Sequence, residues 1–378
     1  MRLGLNLMFL ADGAGGAGRY AFELTPALLA ADEVSHVTAF VTKDAPRELL
    51  AEPWSAEVEW VELPGRISHR THLVAQAAAL PVLAARRRLD VLHSLANGGP
   101  PATPRVAHVV TMLDLIWLRQ RLDWGSRSAV WSMELFTRVA ARTADRLLTI
   151  SNAAREDLVE MFGVDPAFID VSPLGVRVRE DVAPASEEEL RAKLELGTSA
   201  VVLCVAQKRP YKNLGVLIRA LAMLGEDGPA LVLPGATSAY EDELRTLASD
   251  LEVADRVRFV EWVSERELEG LYRLAACFVL PSLIEGFGLP VLEAMARGVP
   301  VACSRRPALT EVAGDAALLF DPLDATAVAD SIRRLMHDGD LRAGLVERGR
   351  ERAGLFSWSR TAEATIGCYE RALVASGK

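Results

Sequence analysis

Residues 277–298 read CFVLPSLIEGFGLPVLEAMARG. The first four are apolar without alternation, the pattern of a strand buried on both faces of a sheet. Pro281, Gly286 and Gly288 interrupt that run and mark a loop. Pro290 suits the first position of a helix and Gly298 the position just past its end, which predicts a short helix over VLEAMAR with Glu293 in its first turn. A strand, a glycine loop at its carboxyl end and a helix make half of a β-α-β unit. The same order recurs along the chain, the form of β-α-β units around a parallel sheet.

In the second half, further strands are predicted at Ala200–Val205, Ala230–Leu233, Val257–Phe259, Val299–Ala302 and Ala317–Phe320, with helices such as Asn213–Met223, Glu241–Ser249 and Ser264–Ala275 between them. The first half has its own set of strands at Leu3–Phe9, Val37–Val41, Val58–Val61, Val91–His93, His108–Thr111 and Arg146–Ile150. Helical periodicity covers Gly18–Ala30, His72–Arg87, Arg127–Thr143 and Ser151–Phe162. Between the halves, Pro173, Gly175 and Pro184 break the pattern, and PASEEEL opens a new helix with a serine cap and acidic first turn. The expected domains are 1–180 and 181–357, with an amphipathic helix within 358–378 that packs back toward the first. Two doubly wound α/β domains with parallel sheets would face a central cleft, with ligands at the carboxyl edges of the strands.

At roughly 150 residues per domain, 378 residues make two or three domains. Half of the residues are apolar and a quarter charged, ample for two cores. A net charge of −9 argues against general nucleic-acid binding, which needs a basic surface. Cys204, Cys277, Cys303 and Cys368 form no C-x-x-C pair, and the first three sit in apolar runs, so they read as core thiols in a reducing compartment and not as a metal site. MRLGLNLMFLADG has neither a long basic region nor a small-residue cleavage pattern and reads as the first strand of a cytoplasmic protein. No apolar run reaches the ~18 residues of a spanning helix, so membrane contact would be peripheral.

The loop of residues 281–289 carries the chemistry. Main-chain N–H groups around Phe287, Gly288 and Leu289, at the positive end of a helix, suit a phosphate, and Gly286 and Gly288 admit a ligand close to the backbone. Glu285 and Glu293 would repel phosphate, so their partners are hydroxyls, which carboxylates accept strongly. A sugar nucleotide supplies both groups. Taken alone, a solvated loop acid and a first-turn acid stabilising its helix by ~0.3–1 kcal/mol account for the two glutamates equally well.

PSLIEGFGLPVLEAMARGVPV closely resembles the E-x-seven-E segment of retaining glycosyltransferases of the GT-B fold, family 4. VAQKRPYKNLGVLIRAL, ELEGLYRLAACFVLPS, LTEVAGDAALLFDPLD and FSWSRTAEATIGCYERAL are similar to flanking landmarks of that family, and GAGGAGRYAFEL, DVLHSL, VVTMLDL and LLTISNAAREDL to landmarks of its N-terminal half. The resemblance implies a GT-B enzyme moving a hexose from a nucleoside diphosphate sugar to a hydroxyl acceptor, with no cofactor or metal. It places Glu293 on the donor ribose, Glu285 on hydroxyls of the transferring sugar, and the Gly286, Phe287, Gly288 and Leu289 segment beside sugar and diphosphate.

By the same resemblance Lys212 would neutralise the leaving diphosphate, as a departing nucleotide requires. Tyr211 stands where an arginine often precedes that lysine, so Arg209 or Lys208 would supply the second cation, Arg209 being preferred. Gly15, Gly16 and Gly18 would form the loop closing over donor phosphates and acceptor; a tight strand-to-helix turn is the plainer account. Asp114 keeps the aspartate of a family H-D pair whose histidine is replaced by Leu113, which can neither take a proton nor hydrogen-bond. His93 could substitute, or could be a buried core histidine. The base would be read by main chain near Trp262 and Val263.

Trp124, Trp131 and Phe136 interleave with Arg127, Arg138, Arg142 and Arg146, and Arg86, Arg87 and Arg88 follow an apolar helix. That suits either a face for an anionic bilayer bearing a lipid-linked acceptor or a core-packed helix with solvated arginines. Two rival functions share the gross fold, a nucleotide-sugar epimerase and a sugar-nucleotide binder without transferase activity.

Overall fold

A computed structural model of the chain describes residues 1–11, 15–64, 74–120, 127–179 and 181–377. The chain divides into two compact units, one of Met1–Gly175 with Ser357–Lys378, the other of Val176–Phe356.

Among the described residues, the first unit holds a seven-stranded parallel sheet of β1 (Arg2–Asn6), β2 (His36–Val41), β3 (Val58–Glu62), β4 (Val91–Ser94), β5 (Ala107–Met112), β6 (Arg146–Thr149) and β7 (Ile169–Val171), in the order β3-β2-β1-β4-β5-β6-β7. The register sets Leu3 beside Val91 and His93 beside Val109. Every residue of β4 and β5 is buried, the result of a sheet covered on both faces by helices. The short edge strand β7 was not legible in the sequence, because only Ile169 of its three residues is fully buried and no apolar run forms. The helix expected from His72 is described from residue 74, with a π-helical turn Ala75–Ala79 leading into Leu80–Arg86; His72 itself lies outside the described residues.

The second unit holds β8 (Val201–Leu203), β9 (Ala230–Pro234), β10 (Val257–Val260), β11 (Cys277–Leu280), β12 (Val301–Ser304) and β13 (Ala317–Phe320), ordered β10-β9-β8-β11-β12-β13 and parallel throughout. Strand order reverses between β8 and β11. Loops leaving two such neighbours diverge to opposite faces and open a crevice at their carboxyl ends. Local signals start the helices: Ser264 and Glu267 form a reciprocal capping box for Glu265–Leu274, and Asp324, Asp338 and Ser357 cap the helices beginning at Ala325, Gly339 and Trp358.

The helix Trp358–Ser376 belongs to the first unit, where the ring of Trp358 lies 6.3 Å from that of Tyr20. A Cβ on Gly175 would stand 2.3 Å from the Trp358 backbone nitrogen, so only glycine lets these segments meet. Tyr369 of that helix hydrogen-bonds His93 Nδ1 at 2.7 Å, and His93 Nε2 meets Thr111 Oγ1 at 2.6 Å. With both ring nitrogens engaged and no exposed surface, His93 is a satisfied core histidine and does not replace the absent family histidine.

Burial pushes the His93 pKa down to about 3, with His108 adding to the effect. Unfolded, the ring takes its proton near pH 6.5, so between there and pH 3 the unfolded chain binds more protons and stability falls as pH falls. The first unit should therefore lose up to about 1.4 kcal/mol per pH unit across that window. His93→Gln should flatten the slope of urea midpoint against pH; parallel slopes would remove His93 as the cause.

Candidate active site

The loops leaving β8 and β11, the neighbours at the reversal of strand order, are tied to each other. Leu283 donates its main-chain N–H to the Tyr211 carbonyl at 2.8 Å, and the Asn213 amide reaches the Pro281 and Pro322 carbonyls at 3.3 and 2.7 Å. Asn213 takes a left-handed φ of 55°, a conformation asparagine tolerates better than most residues. Ser304 Oγ donates to the Ser282 carbonyl at 2.6 Å from below.

This frame brings Lys212 and Glu285 together across 73 positions of sequence. Lys212 Nζ lies 2.7 Å from Glu285 Oε1, and Ser282 Oγ donates to the same oxygen at 2.6 Å. The lysine and glutamate side chains are only 14% and 9% exposed. Burial works most strongly against the lysine's charge, but the Glu285 carboxylate, with Tyr211 and Cys204 adding to it, outweighs burial and raises the Lys212 pKa, so the ammonium stays charged. Tyr211 supports it from beneath, its ring centroid 5.1 Å from Nζ. The residue in the place of a family arginine thus contributes a ring face. Both Lys212 and Ser282 bind Glu285 through Oε1, and Oε2 has no partner among the described residues. Ser282 was not singled out in the sequence, where a serine after a strand carries no signal.

Gly288 caps the helix Leu289–Ala296 with φ of 115°, and a Cβ there would meet Leu309 at 2.5 Å. Among the described residues no acceptor holds the main-chain N–H of Phe287, Gly288 or Leu289, so these donors remain unspent at the helix's positive end. Phe287 is buried edge-on against Phe356, with centroids 5.9 Å apart, and Gly286 is buried beside it.

Glu293 lies later in its helix than the sequence pattern predicts. The helix begins at Leu289, so Glu293 falls in the second turn, where a first-turn electrostatic role does not apply. It is 4% exposed and accepts a hydrogen bond from Tyr272 Oη at 2.9 Å. Arg297 donates Nη1 to the Glu293 carbonyl at 2.9 Å, pairs with Glu269 through Nε at 2.8 Å and through Nη2, and stacks 4.8 Å from the Tyr272 ring centre.

Lys208, the other candidate for the second cation, is engaged by main-chain carbonyls. It is fully buried, donating to the Gly235 carbonyl and, at 2.7 Å, to that of Val260, and so closes the ends of β9 and β10. A lysine in a polar turn reads as solvated; the carbonyls that claim it are set by strands 27 and 52 residues away. Arg209, half-buried at the start of the turn Pro210–Lys212, is the cation nearest Lys212 in sequence, and Trp262 stands exposed just past β10.

In the first unit, Gly15 and Gly16 are not loop residues: they form the first turn of the helix Gly15–Leu29, with Gly15 at φ of 56° marking the entry and Gly18 buried. Residues 12–14, Gly13 among them, lie outside the described residues. Asp114 Oδ1 accepts from the Ile116 N–H at 3.0 Å, while Asn97 clasps the segment from the other side, bonding Leu113 N–H at 2.9 Å and the Asp114 carbonyl at 3.2 Å. Leu113 is buried, an apolar contact in place of a hydrogen-bonding one. On the helix Arg127–Thr143, Trp131, Met133 and Leu135 are exposed and Arg138 pairs with Glu134; Trp124 lies outside the described residues. Among the described residues no helix is long and apolar enough to cross a membrane. All four cysteines are buried, and burial pushes Cys204, Cys277 and Cys303 up to about 12, so none of these three is a ready nucleophile.

Comparison with known proteins agrees with this geometry. Residues 186–352 match the family described as Glycosyl transferases group 1, and residues 15–175 the Glycosyl transferase 4-like domain. The chain is 30% identical over 406 residues to a D-inositol 3-phosphate glycosyltransferase of Salinispora arenicola, covering 96% of this chain and 89% of that one. It is 28% identical over 375 residues to the O-antigen chain mannosyltransferase B of Escherichia coli, covering 94% and 96%. Among solved structures, Anabaena HepE in complex with UDP-glucose superimposes with a TM-score of 0.76 at 17% identity, over 97% of this chain and 99% of that one. With the two parallel-sheet units and the Lys212–Glu285 loops already in place, the chain belongs to the group 1 glycosyl transferases and is a glycosyltransferase of the GT-B fold.

Proposed function

We propose that the enzyme is a retaining, metal-independent hexosyltransferase. It moves a mannose- or glucose-type sugar from a nucleoside diphosphate to a hydroxyl on a growing glycan, a lipid-linked glycan or a small metabolite. The observation that carries this is the charged Lys212 held against Glu285 beside the unspent Phe287, Gly288 and Leu289 amides. Lys212 and those amides receive the diphosphate, and Arg209 is the second cation. Glu285 Oε2 takes sugar hydroxyls, because Oε1 already accepts from Lys212 and Ser282, and Glu293 takes the ribose hydroxyls. The names of the relatives, a mannosyltransferase and an inositol phosphate glycosyltransferase, support the sugar and acceptor classes.

In the transfer step the acceptor oxygen bonds to the anomeric carbon as the bond from that carbon to the phosphate oxygen breaks. The electron pair stays on the phosphate, which also takes the acceptor's proton. Lys212 and the helix terminus stabilise the developing negative charge where a divalent cation would serve in other designs.

A donor at a hundredfold excess over its Kd should stabilise the protein by about 2.7 kcal/mol, several degrees in Tm. UDP-, GDP-, ADP- and dTDP-sugars should be screened in this way. The stabilising donor should then support transfer to a hydroxyl acceptor with EDTA present and with the anomeric configuration kept. No shift with any of the four, or sugar isomerisation without transfer, would overturn the proposal.

A further inference from the structure

Resting on the reading of Glu293 as the acceptor for the donor's ribose hydroxyls, we propose that Tyr272 is a positioning residue for that ribose. Its hydroxyl fixes the plane of the Glu293 carboxylate. The last torsion of a glutamate side chain is broad and roughly two-fold, so a donor aimed at one oxygen helps to set the direction of both. A carboxylate only accepts, which makes Tyr272 the donor in the 2.9 Å bond to Glu293 Oε2.

Tyr272 can impose a direction because it has none to choose. It is fully buried on the helix Glu265–Leu274, its ring centre lies 6.0 Å from that of Phe278, and the Arg297 guanidinium sits 4.8 Å from it. Arg297 is in turn tied to Glu269 on the tyrosine's own helix and to the Glu293 carbonyl on the next. The ring, the cation and the carboxylate form one assembly whose output is the orientation of Glu293.

A fixed carboxylate meets two vicinal hydroxyls well and is left unpaired when one is missing, which is how a site built for a hydroxyl rejects its deoxy analogue. A carboxylate that lacks this donor is held less firmly in that plane and loses affinity and discrimination together. Tyr272→Phe keeps the ring that Arg297 and Phe278 touch and removes only the donor.

The test compares GDP and UDP with their 2′-deoxy and 3′-deoxy counterparts, by calorimetry on wild type, Tyr272→Phe and Glu293→Gln, alongside steady-state kinetics. Tyr272→Phe should raise donor KM about tenfold, with the loss in KM and not in kcat, and should bring the ribose-to-deoxyribose affinity ratio most of the way to one. A lower Tm with the wild-type ratio would mark Tyr272 as merely structural and overturn the inference. If Glu293→Gln alters the ratio and Tyr272→Phe does not, the inference falls and the reading of Glu293 stands. If neither variant alters it, both fall.

Discussion

Lys212→Ala should lower kcat at saturating donor by about 10²–10³-fold, the cost of removing one preorganised group from developing oxyanion charge. Two features of the free protein make the effect large. The ammonium is nearly enclosed, 14% exposed, so water cannot take over its role, and its raised pKa keeps it charged throughout the neutral range. It is also aimed before donor arrives, through Glu285, Ser282 and the bonds that tie Leu283 to Tyr211 and Asn213 to Pro281.

Lys212→Arg, which keeps the charge on a differently shaped head, should recover part of the rate. The alanine variant also strands Glu285 without its cation, so Tm should be measured beside kcat, and the rates should be read on folded enzyme. A kcat within about threefold of wild type, at full occupancy of donor, would take the leaving-group role away from Lys212.

The largest loss of stability should come from Glu269→Gln. Arg297 and Glu269 are 6% and 8% exposed, and the substitution keeps the shape while leaving a buried guanidinium without its counter-charge. Breaking one side of a buried pair costs ~3–5 kcal/mol. For a unit the size of Val176–Phe356 that is a fall of roughly 10 °C in its melting transition. The pair Arg266–Glu189 makes the contrast, since its two side chains are 50% and 41% exposed and bidentate geometry there is screened by water. Glu189→Gln should leave the melting transition nearly where it is. The double variant Glu269→Leu, Arg297→Met should recover much of the loss, because both desolvated charges go together. Equal effects at Glu269 and Glu189 in thermal unfolding would show that burial does not govern these pairs.

Much of the strand pattern was legible because parallel strands covered on both faces have to be continuously apolar, as in Cys277–Leu280, whose bounds agree with the sequence reading. β7 escaped because an edge strand of three residues, two of them partly exposed, needs no such run. At the site, the order of loop, glycine and helix was readable, but Glu293's turn was not. An earlier helix start at Leu289, made possible by the left-handed Gly288, moved it out of the first turn.

The local features are therefore legible in the residues themselves: where chain must be buried, where glycine must bend it, roughly where a helix starts, and which residue types suit a phosphate or a hydroxyl. The tertiary structure decided which of those residues are at liberty to act. Lys208 and Lys212 lie four positions apart with the same side chain, yet one is spent on the carbonyls of Gly235 and Val260 and the other is aimed at Glu285. His93 and Tyr272 were likewise assigned by partners 276 and 21 residues away. A side chain's hydrogen-bond partners are chosen by the register and crossing of strands and helices brought together by burial, and that distance information is not carried by any residue's neighbours in sequence.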